Sequence, residues 1–245
     1  MYIKRIFFLI IAVGLILMGS FSYYVFQVMF SSNTNFSENY KYIYIKTGSN
    51  YADLIEQIKP DLINIDHFDL LAKRKMFNPK AGKYIIKKEM SNNEIINSLR
   101  SRNLTVDVMF NNVKNMNELA GIIGKQIELD SVSFLDFKKD TFFENKGFDK
   151  YNKLSMYIPN SYNFYWNTNI REFNNRMFKE YTKFWELNDR KIQAKKIGMS
   201  QKEVMILASI VYEESNANID LPRIAGVYIN RLKNNWKLQA DPTVK

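Results

Sequence analysis

Between Ile6 and Phe30 the chain carries no charged side chain, and just ahead of that run stand Lys4 and Arg5. About 20 consecutive apolar residues cross a bilayer as a helix, so residues 6–30 span one with room for tilt. The two cations place residues 1–5 in the cytoplasm and the remainder of the chain outside it, in a single pass. A cleaved signal peptide is the alternative. Its apolar region would be shorter and would end at small residues, which Gly19-Ser20 could supply. The apolar run continues past them through Tyr23, Tyr24, Val25 and Phe26, which favours an uncleaved anchor. Residues 31–40 then read as a short polar linker.

The chemistry open to the rest is narrowed by what is missing. With no cysteine in the chain, disulfides, thiolate nucleophiles, Cys-ligated zinc and a lipoprotein anchor are excluded. His67 is the single histidine, which removes two-His metal motifs, and its polar surroundings from Asn64 to Asp69 read as surface. Catalysis would therefore run on carboxylates, amines, hydroxyls or an oxygen-ligated metal. The net charge of +10 suits an anionic partner, yet the lysines are scattered and no nucleic-acid motif appears, so a solvated basic surface explains them equally. No motif suggests a nucleotide, metal or redox cofactor.

From Tyr40 the elements become short. Lys41–Lys46 is a strand candidate, Ser49 can cap a helix carrying Leu54, Ile55 and Ile58 that Pro60 limits, and Asp66 can cap a second through Phe68, Leu71 and Ala72. Gly82–Lys88 is again strand-like, so the order is strand, helix, helix, strand. Two strands leave edges bare unless others join them, and Leu104–Phe110 alternates as a third. Ser91 with Glu94 forms a capping box for a helix over Asn92–Arg102, and Asn115 with Glu118 repeats the logic before Leu119, Ile122, Ile123 and Ile127. Beyond Asp130 the chain reads as mainly helical. Phe173, Met177, Tyr181 and Phe184 fall at helical spacing in Arg171–Asn188 and read as core. Lys202–Glu214 is apolar around most of its circumference and reads as a buried helix, and Asp220 with Pro222 starts another that reaches about Asn234. No internal repeat or low-complexity tract interrupts this order.

Two acids, Glu213 and Glu214, close the Lys202–Glu214 helix. Residues three and four apart share a face, so Glu214 prolongs the stripe Val204, Leu207, Val211, whereas Glu213 lies toward Lys202 and Ser209. Glu214 is thus the acid expected in apolar surroundings. Such surroundings favour the protonated carboxyl that a general acid for glycosidic cleavage needs. A polar residue that merely ends a helix is the competing reading.

Three stretches in combination, Ala208-Ser209-Ile210-Val211-x-x-Glu214-Ser215, Ile224-Ala225-Gly226-Val227-Tyr228-Ile229-Asn230-Arg231-Leu232 and Leu238-Gln239-Ala240-Asp241-Pro242-Thr243-Val244, closely resemble the endolytic murein transglycosylase, or YceG-like, family. Ile158-Pro159-Asn160-Ser161-Tyr162 looks like a segment that precedes the family's catalytic helices, and Gly82–Ile86 through Met90–Ile96 looks like its LysM-like subdomain. The resemblance implies an α+β fold: a transmembrane helix, a LysM-like βααβ subdomain over 41–103 with additional strands, and a mainly helical catalytic domain over 104–245. The family continues past the Asp-Pro-Thr motif, so that domain is expected to be incomplete at its C-terminus.

The same resemblance implies a peptidoglycan lyase of the bacterial inner membrane with its catalytic part in the periplasm. It would cleave the MurNAc–GlcNAc bond of nascent glycan strands to 1,6-anhydroMurNAc ends and so help terminate elongation. Glycan strands and the cell-wall synthesis machinery are the implied partners, with no nucleic acid. Where the family commonly has glutamates at both positions, this chain has Tyr212 and Glu214, so Glu214 takes the catalytic role. Ser215, Tyr228, Asn230, Arg231, Gln239, Asp241 and Thr243 match the family motifs as substrate-binding residues, with Arg231 and Asp241 equally readable as structural. A water-using muramidase, with Asp220 or Asp241 as second carboxylate, and a non-catalytic wall-binding scaffold are the alternatives.

Overall fold

The computed structural model describes residues 2–137, 141–215 and 217–240. Helix α1 (Tyr2–Phe30) is the one described helix long and apolar enough to cross a membrane. The chain then mixes short strands and helices in two compact units. The first comprises Met1–Val108, Gln126–Glu128 and Asn163–Thr168; the second comprises Met109–Lys125, Leu129–Tyr162 and Asn169–Lys245.

The first unit contains the expected strand, helix, helix, strand order as β1 (Tyr40–Ile45), α2 (Tyr51–Ile58), α3 (Ile65–Arg74) and β2 (Gly82–Lys87). β1 and β2 run antiparallel, with Tyr42 opposite Ile85 and Ile45 opposite Gly82. Alternation along the strands turns Ile43, Ile45, Tyr84 and Ile86 inward, onto Leu54, Ile58, Phe68 and Leu71 of the helices. Helix α4 (Asn92–Arg100) adds Ile95, Ile96 and Leu99 to the same core. Gly82 has a φ of +150°, and a Cβ there would collide with the Asn103 side chain. That close approach lets Asn103 Oδ1 accept from the Lys83 N–H at 2.8 Å.

Helix starts differ from expectation in two places. Asn50, not Ser49, caps α2: its side chain accepts from the N–H groups of Ala52 and Asp53, and Asp53 accepts in return from the Asn50 N–H. Asn64, not Asp66, caps α3 by accepting from the His67 N–H at 3.0 Å. A cap must precede the free N–H groups it serves, and Asp66 already lies in the first turn, where its charge suits the helix dipole. Ser91 caps α4 with Glu94 as expected, but the helix stops at Arg100 because Ser101 is extended and its hydroxyl donates to the Ser98 carbonyl.

β3 (Thr105–Phe110) does not join the β1–β2 sheet beyond a single bridge, Lys83–Leu104. It pairs instead with β4 (Asn160–Tyr165), a strand absent from the sequence reading. Tyr162 and Phe164 alternate inward along β4, but its exposed positions are Asn, Ser and Tyr, so the pattern is easily taken for loop.

The segment read as a linker after α1 is held in place. Asn33 is buried; its amide donates to Asn92 Oδ1 at 2.6 Å and to the Asn64 carbonyl at 2.8 Å, and its Oδ1 accepts from the Asn64 N–H. The Asn92 amide in turn donates to the Val28 carbonyl at 2.8 Å, satisfying one of the acceptors that the end of α1 leaves free. His67, expected at the surface, is half-buried and sits edge-on to Tyr24 of α1 with ring centroids 5.7 Å apart.

In the second unit come α5 (Met116–Gly124), α6 (Ser131–Asp136) and α7 (Phe142–Asn145), followed after β4 by α8 (Ile170–Glu186), α9 (Arg190–Lys196), α10 (Gln201–Glu214) and α11 (Leu221–Lys233). Asn115 caps α5 as expected, while Glu118 accepts from Lys114 N–H rather than closing the box on Asn115. The α8 stripe is core: Phe173, Met177 and Tyr181 are buried together with Trp185, and Phe134, Tyr157 and Phe173 lie about each other with centroids 5.9–6.3 Å apart.

Candidate functional site

Helix α10 starts on a capping box, in which Ser200 N–H donates to Glu203 and Glu203 N–H donates to Ser200 Oγ. The helix is not buried all round, as its composition suggested. Leu207 and Val211 are buried, but Ile206 is 45% exposed and Ala208 and Ser209 face solvent. The physical reason is its neighbours: among the described residues α10 packs most on α11, with lesser contact to α9 and the Lys153–Met156 turn, and these leave part of its circumference open. The stripe of Leu207 and Val211, with Tyr228 and Ala240, forms a small core of its own.

The stripe ends on Glu214 as the spacing requires. Glu214 is half-buried and Glu213 is exposed, so the two adjacent acids do have different environments. Helix α11 begins at Leu221 with Pro222 in its first turn, where the missing N–H costs nothing. Asp220 stands at the cap position without a side-chain cap bond, since its backbone is already helical there. From α11 the face Ile224, Val227, Tyr228, Arg231, at helical spacing, turns toward the end of α10. These four, with Glu214 and Gln239, line a cavity of about 200 Å3.

Within it the Tyr228 hydroxyl donates to Glu214 Oε1. Tyr228 is itself buried, so a rigid phenol holds one oxygen of a half-exposed carboxylate that lines the cavity. Arg231 donates to the Leu238 carbonyl, and its guanidinium lies 6.0 Å from the Tyr228 ring centroid. The surroundings of Glu214 are therefore mixed, with a hydroxyl and a guanidinium among apolar side chains, rather than the purely apolar pocket expected. Glu214 is the one carboxylate among the described residues lining the cavity.

Of the residues singled out in the sequence, the fold brings Glu214, Tyr228, Arg231 and Gln239 together. Ser215 sits at the end of α10, where its hydroxyl accepts from the Ala217 N–H at 3.0 Å. Asn230 is exposed and is not among the described cavity residues; its carbonyl accepts from the Asn234 amide. Asp241 and Thr243 lie outside the described residues. Ile224 and Val227 were not singled out, although their spacing from Tyr228 and Arg231 carried the signal. A larger apolar cavity of about 490 Å3 lies elsewhere on the same helix pair, lined by Met199, Ile206, Leu207, Ile210, Ile229 and Leu238 among others; it lacks Glu214.

Known proteins resemble this chain. The model of the YceG-like family matches residues 43–245. The endolytic murein transglycosylase of Bacillus subtilis (strain 168) is 28% identical over 183 residues, which cover 67% of this chain and 50% of that protein. The chain thus spans half the length of this curated relative. The crystal structure of a YceG-like protein from Listeria monocytogenes matches with a TM-score of 0.52 at 21% identity, over 85% of this chain and 75% of the other, a likeness of fold.

Proposed function

We propose, from the premise that the chain belongs to the YceG-like family, that it is a membrane-anchored lytic transglycosylase of peptidoglycan with Glu214 as acid and base. The observation that carries this reading is the Glu214 carboxylate held by Tyr228 at a cavity in the family-matched region. The relative from Bacillus subtilis bears the name of that activity.

In the proposed reaction the Glu214 carboxyl gives its proton to the glycosidic oxygen, O4 of GlcNAc, as the bond from that oxygen to C1 of MurNAc breaks. The 6-hydroxyl oxygen of the same MurNAc attacks C1 and yields its proton to the Glu214 carboxylate. The proton account closes on one residue, and the product is a 1,6-anhydro end formed without water. The internal hydroxyl acts at high effective concentration, which lets one acid serve where water-using glycosidases need two. Arg231 and Gln239 would orient the sugar, and Asp241 and Thr243 would act with them. Residues 41–103 would serve as the LysM-like wall-binding part and 104–245 as the catalytic part.

Lys4 and Arg5 before the apolar helix support a cytoplasmic N-terminus with the site on the periplasmic side. The test of the whole reading is digestion of purified glycan strands with mass spectrometry of the ends. Anhydro ends with the native chain, and their loss in Glu214→Gln by about a hundredfold or more, are expected. Reducing ends would mark a muramidase, and glycan binding without turnover in either form would mark a scaffold.

A further inference from the structure

Along α1 every residue from Lys4 to Tyr24 is exposed, and cover by the first unit begins at Val25 and is complete at Val28. About 20 helical residues span a hydrocarbon core of about 30 Å, and Ile6 to Val25 is that length. The helix continues for one further turn and a half, and α3 and α4 pack on α1, with His67 of α3 against Tyr24 at the edge of that span. The folded unit thus begins where the lipid would end.

The direction of α3 follows from its two contacts. Its cap Asn64 bonds Asn33, which lies beyond the end of α1, whereas His67 one turn later touches Tyr24, before that end. α3 therefore runs back along α1, toward the membrane. Leu70 and Arg74 follow His67 by three and seven residues and share its face, and both are exposed. Met76, just past the helix, is 88% exposed, an unusual position for a methionine in water. Lys73 is paired with Asp69 at 2.7 Å, while Arg74 and Lys75, whose ammonium donates to the neutral Asn93 side chain, add positive charge beside these apolar side chains, with Asp66 back at the other end of the helix.

We infer that the C-terminal end of α3, with Leu70, Arg74 and Met76, rests in the headgroup layer of an anionic bilayer as a second membrane contact besides α1. Apolar side chains flanked by a long cation suit that layer, the first entering the acyl boundary and the second reaching phosphate. The Asn33–Asn64–Asn92 hydrogen bonds fix the unit to α1, so the contact follows from the docking rather than from a free search. The inference rests on α1 as a membrane span.

Because the chain has no cysteine, single substitutions carry a single fluorescent label. The full chain with Met76→Cys, Ile63→Cys or Gly14→Cys is reconstituted into phosphatidylcholine–phosphatidylglycerol vesicles holding a nitroxide lipid, at the headgroup or at mid-chain. The headgroup nitroxide is expected to quench the label at Met76 about twice as strongly as that at Ile63, which lies at the far end of α3. Adding Arg74→Glu should reduce the Met76 quenching. Equal quenching at Met76 and Ile63, with Gly14 quenched from mid-chain, overturns the second contact and leaves the span standing. An unquenched Gly14 overturns both.

Discussion

One oxygen of Glu214 is engaged by Tyr228, and the stiffness of that phenol restrains the carboxyl group at the cavity. Tyr228→Phe keeps the buried ring and removes only the donor. A hydrogen bond to a charged group contributes about 1.5 kcal/mol or more, so we expect glycan cleavage to fall about tenfold with the fold retained, measured by turnover beside circular dichroism. Arg231→Ala should act differently, because it also frees the Leu238 carbonyl and uncovers the Tyr228 ring. There the expected loss of activity is accompanied by a lower midpoint of thermal unfolding. Glu214 itself was legible in advance, because Leu207 and Val211 mark its stripe through local helical spacing alone. Its neighbours were not legible as neighbours. Tyr228 comes from 14 residues downstream, on another helix, and although local spacing marks the inward face of that helix, it does not say that the face meets the end of α10.

At the level of elements, side-chain caps set where helices begin. Ser91→Ala removes the hydroxyl that accepts from the Glu94 N–H, keeps the Ser91 N–H bond to the Glu94 carboxylate, and should cost about 1 kcal/mol of stability, read from urea unfolding. Bonds from Ser91 to the Glu94 carboxylate hold that group below its ordinary range. A lowered folded value means the carboxylate's contribution is present above the unfolded value and is lost as pH falls through the folded one. The backbone bond, the larger cause, survives in Ser91→Ala, so the stability gap between that variant and the native chain should narrow at acid pH, as the hydroxyl-to-carboxylate bond is lost, and widen as pH rises; a constant gap across that window would refute the linkage. Gly82→Ala should destabilise β2, since the added carbon meets Asn103 and the backbone is at positive φ. Helix starts at Ser91 and Asn115 could be read directly, because a cap and its partner lie within one turn. Asn50 and Asn64 could not be separated from the nearby Ser49 and Asp66 on composition, since several polar residues in a row all satisfy the same signal.

For the molecule as a whole, the decisive junction is that between the apolar helix and the first unit. Asn33 and Asn92 are both buried there, so Asn33→Ala strands the Asn64 N–H and Asn92 Oδ1. We expect about 1–3 kcal/mol of destabilisation and faster amide exchange at Asn64. If the chain spans the inner membrane as proposed, impermeant reagents should label cysteines placed after Asn33 only from the outer side; labelling only from the cytoplasm would reverse the topology. The long apolar run, the βααβ order, the α8 core stripe and the acid at the end of α10 were all set by the sequence alone, because each depends on residues within one or two turns or on the strand period of two. Packing partners decided the rest: that the polar stretch after α1 is clasped rather than loose, that β3 pairs with β4, that α10 is covered along one stripe only, and that a phenol and a guanidinium share the space around Glu214. Those outcomes depend on which surfaces meet, and that is settled only when distant segments compete to bury their apolar faces and satisfy their polar atoms.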